Sequence, residues 1–226
     1  MKALARVAAI LLLITMVLGV FTQVFLAGRL VAPGDAAATA ANFVAHEPLV
    51  RLAFALYVIE LACQVALTVL FYRILEPAGR SASMLAAAFG LTGCTVKLVS
   101  RVFFLAPLLV LGGAHFLAVF EPRQLQALAL LSLRVDYLAE TVAVALFGLS
   151  GLVRAWLIFR STFLPRALGA LWAAGGLGWT LYLYEPLARR AELAIVGTAL
   201  VGALAISLWL LVKGVDERRW REQAAR

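Results

Sequence analysis

The chain has 226 residues, of which 64% are hydrophobic and 14% charged, with a formal net charge of +8. Soluble domains sit nearer half apolar and a quarter charged, so this composition excludes an ordinary soluble enzyme. It leaves no length for a separate soluble domain beside a membrane bundle. The positive charge does not indicate nucleic acid, because the basic residues gather at the ends of apolar runs and in the C-terminal tail. That is the pattern of inner loops and of attraction to anionic headgroups.

Several apolar runs exceed the ~18 residues expected of a spanning helix. The first, residues 4–27, has Lys2 and Arg6 at its N-terminal end. It is longer than the apolar core of a signal peptide, and no small-x-small cleavage site follows it, so it reads as a retained helix with its N-terminus inside. Residues 29–49 form the first outer connection. Pro33-Gly34 breaks the chain there, and Asp35 can cap a short Ala-rich helix over about 35–46, lying on the membrane or covering the bundle. Pro48 restarts the chain for a second span, about 49–75, and AGRSAS is a polar inner turn.

The third span covers about 83–112 and contains Pro107, the proline best placed to kink a helix. After a second outer connection, residues 122–160 form either one very long helix or a surface helix continuing inward. A tight turn at 161–166 leads to a fifth span, about 166–184, whose Trp179, Tyr182 and Tyr184 suit the outer interface. The sixth covers about 191–213. Gly197 and Gly202 suit close packing of this last helix, within the bundle or between protomers, and Gly175, Gly176 and Gly178 allow close packing or bending of the fifth.

With this layout twelve basic residues lie inside, Arg154, Arg160 and Arg226 among them, against five outside: Arg29, Arg51, Arg123, Arg189 and Arg190. The excess places both termini in the cytoplasm. The expected fold is an all-α membrane protein of about six transmembrane helices with short surface helices in the outer loops. It comprises a single domain over 1–213 and a charged cytoplasmic tail over 214–226.

The chemistry concentrates in the spans. The third carries Lys97 and Arg101 one turn apart, and an unpaired cation at a helix centre costs roughly 2.5–3.5 kcal/mol on the lenient scale. Only Glu60, Asp136 and Glu140 are acids in comparably apolar segments. At ~100° per residue, Tyr57, Glu60, Gln64 and Thr68 share a face of the second span. Gly90, Gly93, Cys94, Lys97, Ser100 and Arg101 share one on the third, and Ser132, Asp136, Glu140, Ala143, Phe147, Ser150 and Arg154 one on the fourth. The helix directions put Glu60 near the level of Lys97, and Asp136 and Glu140 near Arg101. The expected pairs are therefore Glu60 with Lys97, and Arg101 with Glu140 or Asp136. Arg134 lies on a different face from Asp136 and should reach for the interface.

Cys63 and Cys94 read as small buried side chains and lack metal-ligand spacing. His46 and His115 sit in different loops. No Ser–His pair, metal cluster, phosphate loop or cofactor motif is present. An enzyme would be left with carboxylate acid–base chemistry at Glu60 or Glu140, so a non-enzyme is the better reading.

The stretches GRLVAPGDAAATAANFV (28–44), IFRSTFLPRALGALW (158–172) and LWLLVKGVD (208–216) carry a resemblance over nearly the whole chain. The sequence resembles the bacterial integral-membrane family known as domain of unknown function 4386. The resemblance implies a multi-pass protein of the bacterial cytoplasmic membrane and no transferable catalytic residue.

Two readings of function remain open. In the first, Glu60, Lys97, Arg101, Asp136 and Glu140, with Tyr57 and Gln64, form an outward-facing site for a small amphipathic or anionic ligand, an ion or a proton, serving binding or transport. In the second, the chain is a scaffold or partner subunit, or a homo-oligomer, whose buried charges only lock helices together. The lipid bilayer is a partner in both.

Overall fold

Helix boundaries follow from caps and prolines at the ends of the apolar runs. The computed structural model describes residues 1–225, so Arg226, counted above among the inner basic residues, lies outside the described residues. The elements are α1 (Lys2–Leu30), α2 (Ala36–Ala45), α3 (Glu47–Leu75), α4 (Arg80–Leu111), α5 (Pro122–Arg160), α6 (Arg166–Thr180), α7 (Glu185–Val212) and α8 (Glu217–Ala224). All regular structure among the described residues is helical.

Five of these are long and apolar enough to cross a membrane: α1, α3 with its following 3-10 turn, α4, α5 and α7. The fifth expected span is shorter than its apolar pattern suggests. Helix α6 has 15 residues, about 22 Å at 1.5 Å per residue, and gives way to a 3-10 turn at Leu181–Leu183. That falls short of a hydrocarbon core of ~30 Å. Residues 122–160 form one helix of 39 residues, about 58 Å long and roughly twice that thickness.

Prolines shift two starts. Pro48 and Pro186 lie in the first turns of α3 and α7, so these helices begin at Glu47 and Glu185 rather than after the proline. A first-turn proline has no N–H to leave unsatisfied. The AGRSAS segment is less of a turn than expected, since α4 begins at Arg80.

By backbone contacts the chain forms two compact units. The first comprises residues 1–16, 62–95 and 141 onward. Its core joins Ala5, Ala8 and Ala9 with Phe71, Ile74, Leu157, Ile158, Ile206 and Leu210. Phe71 meets Trp172 edge-on, with centroids 4.9 Å apart. Close backbone approach also joins α6 to its neighbours. A Cβ at Gly175 would stand 3.1 Å from the Ala199 Cα, and one at Gly202 would stand 3.1 Å from the Leu171 carbonyl. Gly197 has open space around it and takes no part in this packing.

The charged tail belongs to this unit as a docked helix. Asp216 caps α8 by accepting from the Arg219 N–H. The Trp220 indole donates to the Ile74 carbonyl at 2.9 Å, and Gln223 accepts from the Thr162 N–H at 3.0 Å. Glu217 accepts from the Lys2 N–H, which holds its carboxyl below the usual carboxylate range. Trp220→Phe keeps an aromatic ring, though a smaller one, and removes the indole hydrogen bond to Ile74. It is expected to cost about 1 kcal/mol and to raise proteolysis after residue 213, a change that limited proteolysis in detergent would register.

The second unit comprises residues 17–61 and 96–140. The end of α1 is π-helical over Phe21–Ala27. Helix α2 is capped by Asp35 and tied back by Thr39, which bonds both polar groups of the Ala32 backbone, and by Asn42, which donates to the Leu30 carbonyl. Phe43 of α2 is fully buried among Leu30, Val50, Ala53, Tyr57 and Phe104.

Candidate functional site

Glu60, Lys97, Arg101, Asp136 and Glu140 all fall in the second unit, and they meet there. One helical face of α3 presents Tyr57 and Glu60, α4 presents Lys97 and Arg101, and α5 presents Asp136 and Glu140, each pair three or four residues apart.

Lys97 Nζ donates to both oxygens of Glu60, at 3.0 and 3.2 Å, and lies 4.0 Å from Glu140 Oε1. Arg101 Nη2 stands 2.8 Å from Glu140 Oε2 and 3.4 Å from Asp136 Oδ1. Glu140 thus bridges the two cations. Arg101 is only 1% exposed, and its guanidinium lies 4.4 Å from the centre of the Tyr57 ring. Such stacking suits a planar, weakly hydrated cation. The Tyr57 hydroxyl in turn donates to Gln23 Oε1 at 2.7 Å, and the ring packs edge-on against Phe104, which also meets Phe43.

The pairing is strong in charge and incomplete in direction. Arg101 Nη2 and Asp136 Oδ1 are buried at ion-pair distance, yet neither has an aligned hydrogen-bond partner. The distances make ion pairs; the angles do not make hydrogen bonds. Thr22 Oγ1, in the π-helical turn beside Gln23, is also buried without a partner. Widened turns of this kind recur at functional sites.

Both expected pairings are present: Glu60 with Lys97, and Arg101 with Glu140 and Asp136 together. Tyr57 joins them through its ring. Gln64 belongs to the first unit and is half-buried there. Arg134 is exposed while Asp136 is buried, as their different faces require. Sequence reasoning missed Gln23, although it is the one amide inside the first apolar run, and that was the available signal.

No group of three or more His, Cys, Asp and Glu among the described residues could hold a metal ion. A cavity of about 550 Å³ opens in the first unit, at the dock of α8, lined by Arg160, Thr162, Arg219 and Gln223 among others.

Compared with known proteins, residues 7–214 match the model of a family described as domain of unknown function (DUF4386). No curated protein and no solved structure matches the chain.

Proposed function

The chain belongs to the DUF4386 family, and from that premise we propose that it is a six-span protein of the bacterial cytoplasmic membrane whose five-residue charge cluster takes up one proton or one small cation. The supporting observation is a count within a closed set of contacts. Glu60, Asp136 and Glu140 share Lys97 and Arg101, so the fully ionised cluster carries one net negative charge. A surplus charge in a low-dielectric interior is strongly disfavoured, and a proton or small cation removes it. Asp136 Oδ1, buried without an aligned donor, is the acceptor we assign to it.

On this reading both termini are cytoplasmic, the sixth span is α6 with its 3-10 extension, and the cluster communicates with the outer side. Helix α2, held by Phe43 against Phe104, is the cover over that route. Cycling of the proton or cation across the membrane would make the protein a transporter.

Infrared difference spectroscopy of the purified protein tests the idea. A carboxyl band that appears on acidification and is absent from Asp136→Asn supports it. A spectrum with no such band in either protein sinks it.

One observation favours a second reading. All five charges already stand within 4.0 Å of an opposite charge, as a purely structural lock of a scaffold subunit requires. In that case Asp136→Asn alters stability and leaves proton and cation uptake by proteoliposomes at the level of empty vesicles in both proteins.

A further inference from the structure

The first unit buries a cation that the charge cluster does not explain. Arg154 of α5 is 5% exposed. Its Nη2 donates to Thr68 Oγ1 at 3.3 Å, and its guanidinium lies 5.2 Å from the centre of the Phe71 ring. Among the described residues no carboxylate comes within 4.0 Å of it. The Thr68 hydroxyl spends its own proton on the Gln64 carbonyl at 2.8 Å, so it serves Arg154 only as an acceptor. A guanidinium carries five N–H donors; one goes to Thr68, and the ring takes part of the positive charge through its face.

The surroundings are shaped to admit this side chain. A Cβ at Gly90 would stand 3.1 Å from Arg154 Nη2 and 3.0 to 3.2 Å from Thr68. Glycine at 90 therefore makes room for the guanidinium itself. Arg154 lies six residues from the end of α5 at Arg160, about 9 Å along the axis. A long side chain so near a helix end could reach outward to the interface, yet this one is folded inward against Thr68 and Phe71.

We propose that Arg154 is an anion-binding residue, with Thr68 and Gly90 positioning its guanidinium, and that its ligand is a compact anion. Free chloride and the phosphate of a bound phospholipid share the required chemistry: one negative charge and acceptors in reach of the remaining N–H groups. The site lies outside the acidic cluster, and the proposal stands whether or not that cluster moves protons.

The test uses the full chain purified in mild detergent. Its melting temperature is measured in sodium chloride against sodium gluconate at equal ionic strength, and retained phospholipid is measured by native mass spectrometry. A free-anion site raises the wild-type melting temperature saturably, by about 4 °C at ten times the dissociation constant, and the response disappears in Arg154→Gln. A lipid-phosphate site shows no chloride response but a bound phospholipid that Arg154→Gln loses; either result supports the assignment. Folded Arg154→Gln that keeps the wild-type chloride response and the wild-type lipid overturns it. If Arg154→Gln does not fold, Thr68→Val and Gly90→Ala decide, since both keep the cation but shift its position. A several-fold weaker chloride or lipid affinity in them supports the proposal, and unchanged affinity in both overturns it.

Discussion

Arg101→Met is expected to destabilise the protein by about 3–5 kcal/mol, the usual consequence of removing one partner from a buried ion pair. The methionine fills much of the same volume, so the loss is chiefly electrostatic. Asp136, buried, and Glu140, partly buried, then have only Lys97, at 4.0 Å from Glu140, to offset them. The triple variant Arg101→Met, Asp136→Asn, Glu140→Gln is expected to recover most of that loss, because it removes all three charges together. Thermal or denaturant unfolding in one detergent compares the three proteins. If the single variant unfolds like wild type, the buried pairing is not what holds this unit together.

Gly148→Ala should cost about 1–3 kcal/mol through overpacking, in the first unit and by an unrelated mechanism. A Cβ on Gly148 of α5 would stand 2.7 Å from the Gly176 carbonyl oxygen and 2.9 Å from the Thr180 N–H nitrogen of α6. Those are backbone atoms, so no side chain can swing aside to relieve the contact. The reciprocal position is as tight, with a Gly176 Cβ 3.0 Å from the Gly148 carbonyl. Small residues let membrane helices approach to this distance, and dispersion between the backbones holds them there. Gly197→Ala is the control: nothing lies within 4 Å of its missing Cβ, and it should unfold like wild type. Equal losses at 148 and 197 would show that helix propensity or lipid contact, not the α5–α6 approach, governs the effect.

The charge cluster was legible because membrane energetics narrow the choices. Lys97 and Arg101 in an apolar run demand acids, and only Glu60, Asp136 and Glu140 were available at a matching helical period. The 3.6-residue repeat then fixed which faces carried them. Arg154 shares the polar face of the fourth span with Asp136 and Glu140, and its burial agrees with that face; only packing reveals that its guanidinium lies against a threonine and a phenylalanine ring. Gln64 shares a helical face with Glu60, yet contacts group it with a different unit, because periodicity gives angle around an axis but not which neighbours stand beside each turn. The short α6 escaped notice since the apolar pattern of 166–184 continues past Thr180, where the backbone tightens into a 3-10 turn.

By itself the sequence determined the class of protein, the helical content, the family and the identity of the five charges in the cluster. Each rests on local quantities: the length of an apolar run, a capping side chain, a proline in a first turn, the period of a polar stripe. Only the tertiary structure decided that Glu140 bridges both cations, that Tyr57 lies under Arg101 and leans on Gln23, and that Arg154 is buried without a carboxylate. Those outcomes depend on ångström-scale distances between side chains far apart in the chain, and such distances are set by how whole helices pack.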